Sequence, residues 1–197
     1  MRVYWCAQTR AFRIAWLLEE AGVPYERVKI NIRDPASSTD PRFRAVSPMG
    51  KVPALEDGAV RLWDSGAICA YVADQYLQSR LAPPIGNPDR GAYLQWLMFN
   101  NSVIEPAMGE KFGGLPANSS RNGWGSWDQM LETLRSKLAQ GPWILGATFS
   151  AADVMLGSAC HFLRLFKMVA DEPVLFAYAD RCAARPAFQR ASAFEVG

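Results

Sequence analysis

The residue best suited to chemistry is a cysteine near the start of the sequence, in the stretch VYWCAQTRAFR at residues 3–13. Cys6 follows a short apolar run, and a helical pattern begins three residues later at Thr9. A thiol at such a junction could be a small core residue, a metal ligand, half of a disulfide or a nucleophile. The start of a helix and the nearby Arg10 would favour its nucleophilic thiolate form.

The remaining cysteines narrow these alternatives. Cys69, Cys160 and Cys182 lie far apart and form no CxxC pair. With the lone His161 they offer no zinc-binding spacing, so we expect no metal. The N-terminus lacks a signal-peptide pattern, and no apolar run approaches the roughly 18 residues of a membrane span. We therefore expect a cytoplasmic protein with free thiols and no membrane partner.

The overall composition describes an ordinary globular chain. Its 197 residues are 50% hydrophobic, which suffices for a sizeable core in one large domain or two small ones. The formal net charge is +2, and the basic residues are scattered rather than collected in a run. This pattern excludes a phosphate-binding stripe, so we expect no nucleic-acid partner.

The first part of the chain alternates strand and helix patterns. Residues 2–5 read as a strand, and the helical pattern that begins at Thr9 ends at Gly22. Residues 25–32 alternate as a second strand, which makes a β-α-β unit with two parallel strands. Residues 34–48 are rich in Pro, Ser and Asp, and predict irregular chain with one short helix.

A hairpin and another helix follow in the stretch GKVPALEDGAVRLWDSGAICAYVADQY. Residues 53–56 and 59–62 predict two strands that an Asp-Gly turn joins. Asp64 and Ser65 then supply capping chemistry for a helix. The next stretch, LAPPIGNPDRG, has the proline density of a linker.

The rest of the sequence carries only helical patterns. Residues 92–112 predict one long helix, and an apolar stripe predicts another over 127–138. A third helix, apolar on most sides and therefore central, begins at Ser150 with an S-x-x-D cap. A last helix over 174–184 is expected to precede a short tail.

Four local motifs, together with this layout, resemble the glutathione transferases. The motifs are RIAWLLEEAGVPYE at 13–26, SPMGKVPALEDG at 47–58, DSGAICAYVAD at 64–74 and FSAADV at 149–154. They stand in the family's order and spacing along nearly the whole chain. The resemblance implies a thioredoxin-like domain (β-α-β-α-β-β-α, four-stranded mixed sheet) at residues 1–77. A linker at 78–90 and an all-helical domain at 91–197 with the electrophile pocket would follow.

The resemblance also implies glutathione as co-substrate, with no tightly bound cofactor. The backbone of Val52 would pair with the cysteinyl residue of glutathione, with Pro53 in a cis bond fixing the geometry. Ser65 would take the γ-glutamyl carboxylate, and Asp64 would pair with its ammonium group. Lys51 would offset the glycyl carboxylate.

In this family the residue after the first strand faces the ligand's sulfur, and here it is Cys6. As a nucleophile, Cys6 would attack a mixed disulfide and perform thiol exchange. As a neighbour, Cys6 or Thr9 would donate a hydrogen bond to the glutathione thiolate, which would attack an electrophile. Tyr4 is a third candidate donor, although core packing suits its place in the strand. The family's cysteine enzymes usually have Pro where Ala7 stands. Many bacterial members carry Ser-Pro at this place, so Cys6 could instead replace the serine.

The resemblance implies a homodimer that conjugates glutathione with a small hydrophobic electrophile. The residues expected to line the electrophile pocket are Phe99, Val103, Met108 and Phe112. The first alternative is a Cys-dependent thioltransferase or deglutathionylase. The second, from a different class, is a binding or adaptor protein that keeps the fold without catalysis.

Overall fold

The N-terminal part of the chain forms a four-stranded mixed sheet with the order β2-β1-β3-β4. The strands are β1 (Arg2–Trp5), β2 (Glu26–Lys29), β3 (Ala54–Asp57) and β4 (Val60–Leu62). In this computed structural model, which describes residues 1–76, 78 and 80–196, β1 runs parallel to β2 and antiparallel to β3. Strand β4 is antiparallel to β3. The expected mixed sheet is therefore confirmed.

Helix α1 (Ala11–Ala21) makes the crossover between the two parallel strands. Its apolar positions Ile14, Leu17 and Leu18 are completely buried, as their helical spacing predicts. The helix ends at Gly22, whose φ of 64° lies in the left-handed region that glycine adopts without a steric penalty. Strand β2 is shorter than the predicted range of 25–32.

The segment after β2 contains two short helices where the sequence predicted one. They are α2 (Pro35–Thr39) and α3 (Pro41–Val46). Each begins with an Asp-Pro pair, in which the aspartate caps the helix and proline occupies the first helical position. The Asp34 carboxylate accepts from the N–H of Ala36, and Asp40 accepts from that of Arg42.

Helix α3 closes a small apolar cluster on one face of the sheet. Phe43 and Val46 of this helix are buried there with Tyr4, Ile30 and Ala54. On the other face, helix α1 packs against α4 (Ser65–Gln75), which follows β4 directly. The sheet therefore has helices on both faces.

The second unit spans Ala82–Ala183 and is helical apart from two isolated bridges among its described residues. Its helices are α5 (Asp89–Phe99), α6 (Glu105–Phe112), α7 (Trp127–Leu138), α8 (Ala151–Leu165) and α9 (Pro173–Ala183). The predicted single helix over 92–112 is divided by a π-helical turn, Asn100–Ile104. Pro106 explains the change, because it has no N–H to continue the α-helical ladder.

Helix α8 is central, and its start is held by a buried carboxylate. Asp153 accepts hydrogen bonds from the N–H of Ile144 at 2.8 Å, the hydroxyl of Tyr178 at 2.8 Å and the N–H of Ser150 at 2.9 Å. Burial raises the pKa of Asp153, while these hydrogen bonds oppose the shift. The predicted S-x-x-D cap is present.

The C-terminal segment is not the short tail that the sequence predicted. It forms α10 (Pro186–Ser192) and a 3₁₀ turn, Ala193–Val196. The contacts group the chain from Ala184 onward with the N-terminal unit that ends at Leu81. Helix α10 packs against α1, and the domain boundaries expected at residues 77, 78–90 and 91 stay a prediction. No helix among the described residues has the length and hydropathy needed to cross a membrane.

Candidate functional site

Three strand ends of the sheet bring the predicted ligand-binding segments together. Because β3 is antiparallel to both β1 and β4, the end of β1, the start of β3 and the end of β4 lie at one edge. Strand β1 leads into Cys6, β3 follows Val52 and Pro53, and β4 leads into Asp64 and Ser65. The register of β1 with β3, continued beyond Ala54, would put Cys6 opposite Val52.

The Cys6 loop, residues 6–10, connects β1 to α1. The hydroxyl of Thr9 donates to the carbonyl oxygen of Cys6 at 2.7 Å and accepts from the N–H of Ala11 at 3.2 Å. Its single proton is therefore already engaged within the loop. In the described part of the chain, the Cys6 thiol itself has no hydrogen-bond partner. Of the two residues predicted to be catalytic, Cys6 rather than Thr9 thus has a proton that it can donate to a ligand.

The four cysteines differ sharply in their surroundings. Cys6 is partly exposed, whereas Cys69, Cys160 and Cys182 are buried. Burial raises the pKa of Cys69 and of Cys160 to about 12. The described structure contains all four as free thiols, as the sequence predicts.

A thiol titration of the folded protein should therefore detect one reactive cysteine per chain. We expect a disulfide reagent to modify Cys6 rapidly and the buried thiols only after denaturation, which should release all four. The Cys6→Ser variant should lose the fast phase and keep the other three thiols. A fast phase that persists in this variant would show that a second cysteine is accessible.

Val52 directly precedes Pro53 and β3, at the edge of the sheet where β1 ends. The Val52–Pro53 bond is cis, as the resemblance implied. Among the described residues, neither the N–H nor the C=O of Val52 has a backbone hydrogen-bond partner. An extended peptide could therefore pair with them as an added strand does.

Ser47 holds the loop that carries Val52. Its completely buried hydroxyl donates to the carbonyl oxygen of Lys51 at 2.8 Å and accepts from the N–H of Lys51 at 3.1 Å. The carbonyl oxygen of Ser47 accepts from the N–H of Gly50 at 2.7 Å. One serine therefore fixes the loop at three points.

Ser47→Ala should weaken both the fold and the loop. Two backbone groups of Lys51 would lose their buried partner, which costs about 1–3 kcal/mol of the free energy of unfolding. Urea denaturation should show this loss, and any ligand that pairs with Val52 should bind more weakly. Ser158→Ala, which removes a buried serine hydroxyl in the second unit, is the matched control. An equal loss of ligand affinity in both variants would contradict a specific role of Ser47.

A cleft of about 380 Å³ lies beside this loop. It is lined by Thr9, Arg10, Ile32, Ser38, Thr39, Arg44, Met49, Gly50, Lys51 and Val52. Three of these residues are cationic and none is acidic, so the cleft favours an anionic ligand. The predicted residues Lys51, Val52 and Thr9 thus share one cleft, whereas Cys6, Asp64 and Ser65 are not part of its lining.

Sequence reasoning missed Arg44 as a member of this cleft. Arg44 lies on α3, and its guanidinium group lies directly against Gly50, whose φ is 62°. A side chain at Gly50 would also come within 2.9 Å of the carbonyl oxygen of Ser38. The Asp-Pro pairs at residues 34–35 and 40–41 are the signal that could have located these short helices, and with them the position of Arg44 on α3.

The start of helix α4 offers a second set of donors. Asp64 caps the helix by accepting from the N–H of Ala67 at 3.0 Å. Ser65, which is 7% exposed, has no hydrogen-bond partner for its hydroxyl among the described residues. The N–H groups of Ser65 and Gly66 precede the first intrahelical bond. These donors and the helix dipole suit a carboxylate.

Tyr4 is engaged elsewhere. Its hydroxyl donates to a carboxylate oxygen of Glu56 at 2.7 Å, and its ring packs against Phe43. Burial and then this hydrogen bond raise the pKa of Tyr4 to about 12. These contacts support core packing over a role as hydrogen-bond donor to a ligand.

The four residues predicted to line an electrophile pocket differ in exposure. They lie on α5, the π-helical turn and α6 of the second unit. Phe99 and Val103 are half-buried, Met108 is buried and Phe112 is 82% exposed. Phe99 and Val103 have the partial exposure of a pocket lining, and the pocket itself stays a prediction. Among the described residues, no cluster of three or more His, Cys, Asp or Glu side chains could hold a metal ion.

Comparison with known proteins gives consistent matches along the chain. Residues 1–74 match the family model of the glutathione S-transferase N-terminal domain, and residues 117–190 match that of the C-terminal domain. The structure of a sphingomonad glutathione S-transferase complexed with glutathione is 31% identical. It superimposes with a TM-score of 0.83 over 99% of this chain and 98% of that one.

Two further proteins illustrate the range of the matches. The ternary complex of BphK, a bacterial glutathione S-transferase, is 28% identical, with a TM-score of 0.83 and full coverage of both chains. The disulfide-bond oxidoreductase YfcG of Escherichia coli is 26% identical over 165 residues, which cover 77% of this chain and 75% of that protein.

Proposed function

Because this chain belongs to the glutathione S-transferase family, we propose that it is a glutathione transferase in which Cys6 faces the sulfur of bound glutathione. The observation that carries the proposal is the meeting of Cys6, Val52 and Ser65 at one edge of the sheet. Each of them leaves a polar group available where an extended thiol peptide could reach it.

Glutathione would bind along this edge through its backbone and its two carboxylates. The N–H and C=O of Val52 would pair with the cysteinyl residue of the ligand. The γ-glutamyl carboxylate would accept from the hydroxyl and N–H of Ser65, and Asp64 would lie near the ligand's ammonium group. The glycyl carboxylate would enter the cationic cleft, which Lys51 and Arg44 line.

In conjugation, Cys6 would act as a hydrogen-bond donor. Its S–H would stabilise the glutathione thiolate, which lowers the cost of ionising the bound thiol. The thiolate would then attack the electrophilic carbon, form a carbon–sulfur bond and expel the leaving group with its electron pair. Because Thr9 already directs its proton to the Cys6 carbonyl oxygen, Cys6 supports this role better than Thr9 does.

Thiol exchange is the second candidate reaction, and the partial exposure of Cys6 favours it. The Cys6 thiolate would attack the glutathione sulfur of a mixed disulfide and release the other thiol. A second glutathione thiolate would then attack the glutathionylated Cys6 and leave as glutathione disulfide. The similarity to a protein named as a disulfide-bond oxidoreductase supports this alternative.

A thermal-shift titration tests the proposal against a non-catalytic adaptor. A ligand at a hundred times its Kd adds about 2.7 kcal/mol to the free energy of unfolding, so millimolar glutathione should raise Tm by several degrees. A glutathione analogue without the γ-glutamyl carboxylate should give a smaller shift. No shift with glutathione would favour the adaptor, since an adaptor needs no glutathione site.

The proposal extends to the oligomeric state, the second substrate and the cellular compartment. We expect a homodimer, a small hydrophobic electrophile as second substrate, and a reducing compartment such as the cytoplasm. The free state of the four cysteines supports the last point. Sedimentation velocity and a panel of activated aryl halides and epoxides would test the first two.

A further inference from the structure

The C-terminal segment, residues 185–194, packs against both the first and the last turns of helix α1. Phe188 of α10 is 5% exposed and meets the rings of Phe12 and Trp16 edge-on, with ring centroids 4.9 Å apart in each pair. Such edge-to-face pairs stabilise packing beyond the area that they bury. Phe12 stands in the first turn of α1, two residues after the Cys6 loop.

Two ion pairs join the C-terminal segment to the last turns of α1. Arg185 makes two parallel hydrogen bonds to the carboxylate of Glu20, at 2.6 and 2.7 Å, across 165 positions of sequence. Glu20 also accepts from the indole N–H of Trp16 at 2.8 Å. Arg190 donates to the carboxylate of Glu19 at 2.6 Å. The position of α10 on α1 is therefore closely specified.

The segment also contacts Arg27 of β2, which in turn contacts the last residue of β1. The guanidinium group of Arg27 lies 3.7 Å from the ring centroid of Phe194 and 5.3 Å from that of Trp5. Both distances fall within the range of cation–π contacts. Trp5 is buried and is the last residue of β1, directly before Cys6.

The Cys6 loop thus begins and ends beside residues that the C-terminal segment supports. Trp5 precedes the loop, and Phe12 follows it, with the Phe12 N–H donating to the carbonyl oxygen of Thr9 at 3.1 Å. We infer that residues 186–194 position the Cys6 loop, with Phe188 acting through Phe12, and Phe194 acting through Arg27 and Trp5. The inference rests on the proposed function insofar as the positioned thiol faces glutathione.

Hydrogen exchange of the Cys6 loop tests this inference without any ligand. In Phe188→Ala, the amides of residues 6–12 should exchange about tenfold faster than in the wild type, because loss of the ring contacts makes local opening easier. Leu134→Ala, which removes a completely buried side chain of α7 in the second unit, should leave these amides unchanged. Phe188→Leu should restore most of the protection.

Glutathione affinity provides the second readout. Phe188→Ala should raise the Kd for glutathione about tenfold, because the Cys6 S–H would no longer be held against the ligand's sulfur and the loss of one hydrogen bond to a thiolate weakens affinity by about that factor. Leu134→Ala should change the Kd less than about twofold, because it leaves the loop in place. If Phe188→Ala does not fold, Phe194→Ala, at a half-buried position, should show the same two changes on a smaller scale.

The possible outcomes separate this inference from the proposed function. Unchanged exchange of residues 6–12 in both phenylalanine variants would overturn the inference, whatever the wild type binds. Faster exchange with an unchanged glutathione Kd would also overturn it, because the segment would then support the loop without positioning the thiol. If exchange is faster in the variants but the wild type does not bind glutathione, the C-terminal segment supports the Cys6 loop and the proposed function is rejected.

Discussion

Cys6→Ser is expected to separate the two proposed reactions. A serine hydroxyl also donates a hydrogen bond to a thiolate, so conjugation of an activated aryl chloride should stay within about threefold of the wild-type rate. Thiol exchange requires a sulfur nucleophile, so its rate should fall at least about 100-fold. Steady-state assays of both reactions on the same preparation would measure the two effects.

Cys6→Ala provides the control for this result. Alanine cannot donate, and a hydrogen bond to a charged group contributes about 1.5–3 kcal/mol, so conjugation should fall about 10- to 100-fold. Equal conjugation rates in the wild type, Cys6→Ser and Cys6→Ala would mean that residue 6 does not face the sulfur. An equally large loss in both variants would mean that the thiol itself takes part in conjugation.

Ser65→Ala should weaken glutathione binding with little change in stability. Loss of a hydrogen bond to the γ-glutamyl carboxylate should raise the Kd about 10- to 100-fold. The free energy of unfolding should hardly change, because the Ser65 hydroxyl has no partner among the described residues of the protein. Isothermal titration calorimetry and urea denaturation of the same samples would check the two expectations.

Asp64→Ala is the informative comparison. Its carboxylate caps helix α4, so its removal should cost about 1 kcal/mol of the free energy of unfolding as well as some affinity for glutathione. The pair of variants therefore separates a ligand contact from a helix cap. An unchanged Kd in Ser65→Ala would place the γ-glutamyl carboxylate elsewhere.

Most of the sheet could be predicted because its signals are local. The apolar run at residues 2–5 and the alternation at 25–32 indicated the two parallel strands, and the Asp-Gly turn indicated the hairpin between β3 and β4. The capping residues Asp64 and Ser150 marked the starts of α4 and α8 correctly. The order of the strands brings Cys6, Val52 and Ser65 to one edge, and this order comes from the strand pairing in the structure.

Other features depend on contacts that sequence patterns do not encode. The packing of α10 on α1 requires Phe188 to meet Phe12, and no periodicity links residues so far apart. The use of the Thr9 hydroxyl within its own loop depends on the path of the chain between β1 and α1. The π-helical turn before Pro106 could have been anticipated, because proline cannot donate to the helical ladder.

A crystal structure of the protein with glutathione would show whether Cys6 faces the ligand's sulfur. We expect an extended ligand whose cysteinyl backbone pairs with Val52, whose γ-glutamyl carboxylate contacts Ser65, and whose sulfur lies within hydrogen-bonding distance of the Cys6 sulfur. A ligand bound at this edge with its sulfur turned away from Cys6, or one bound elsewhere on the protein, would contradict the proposed function.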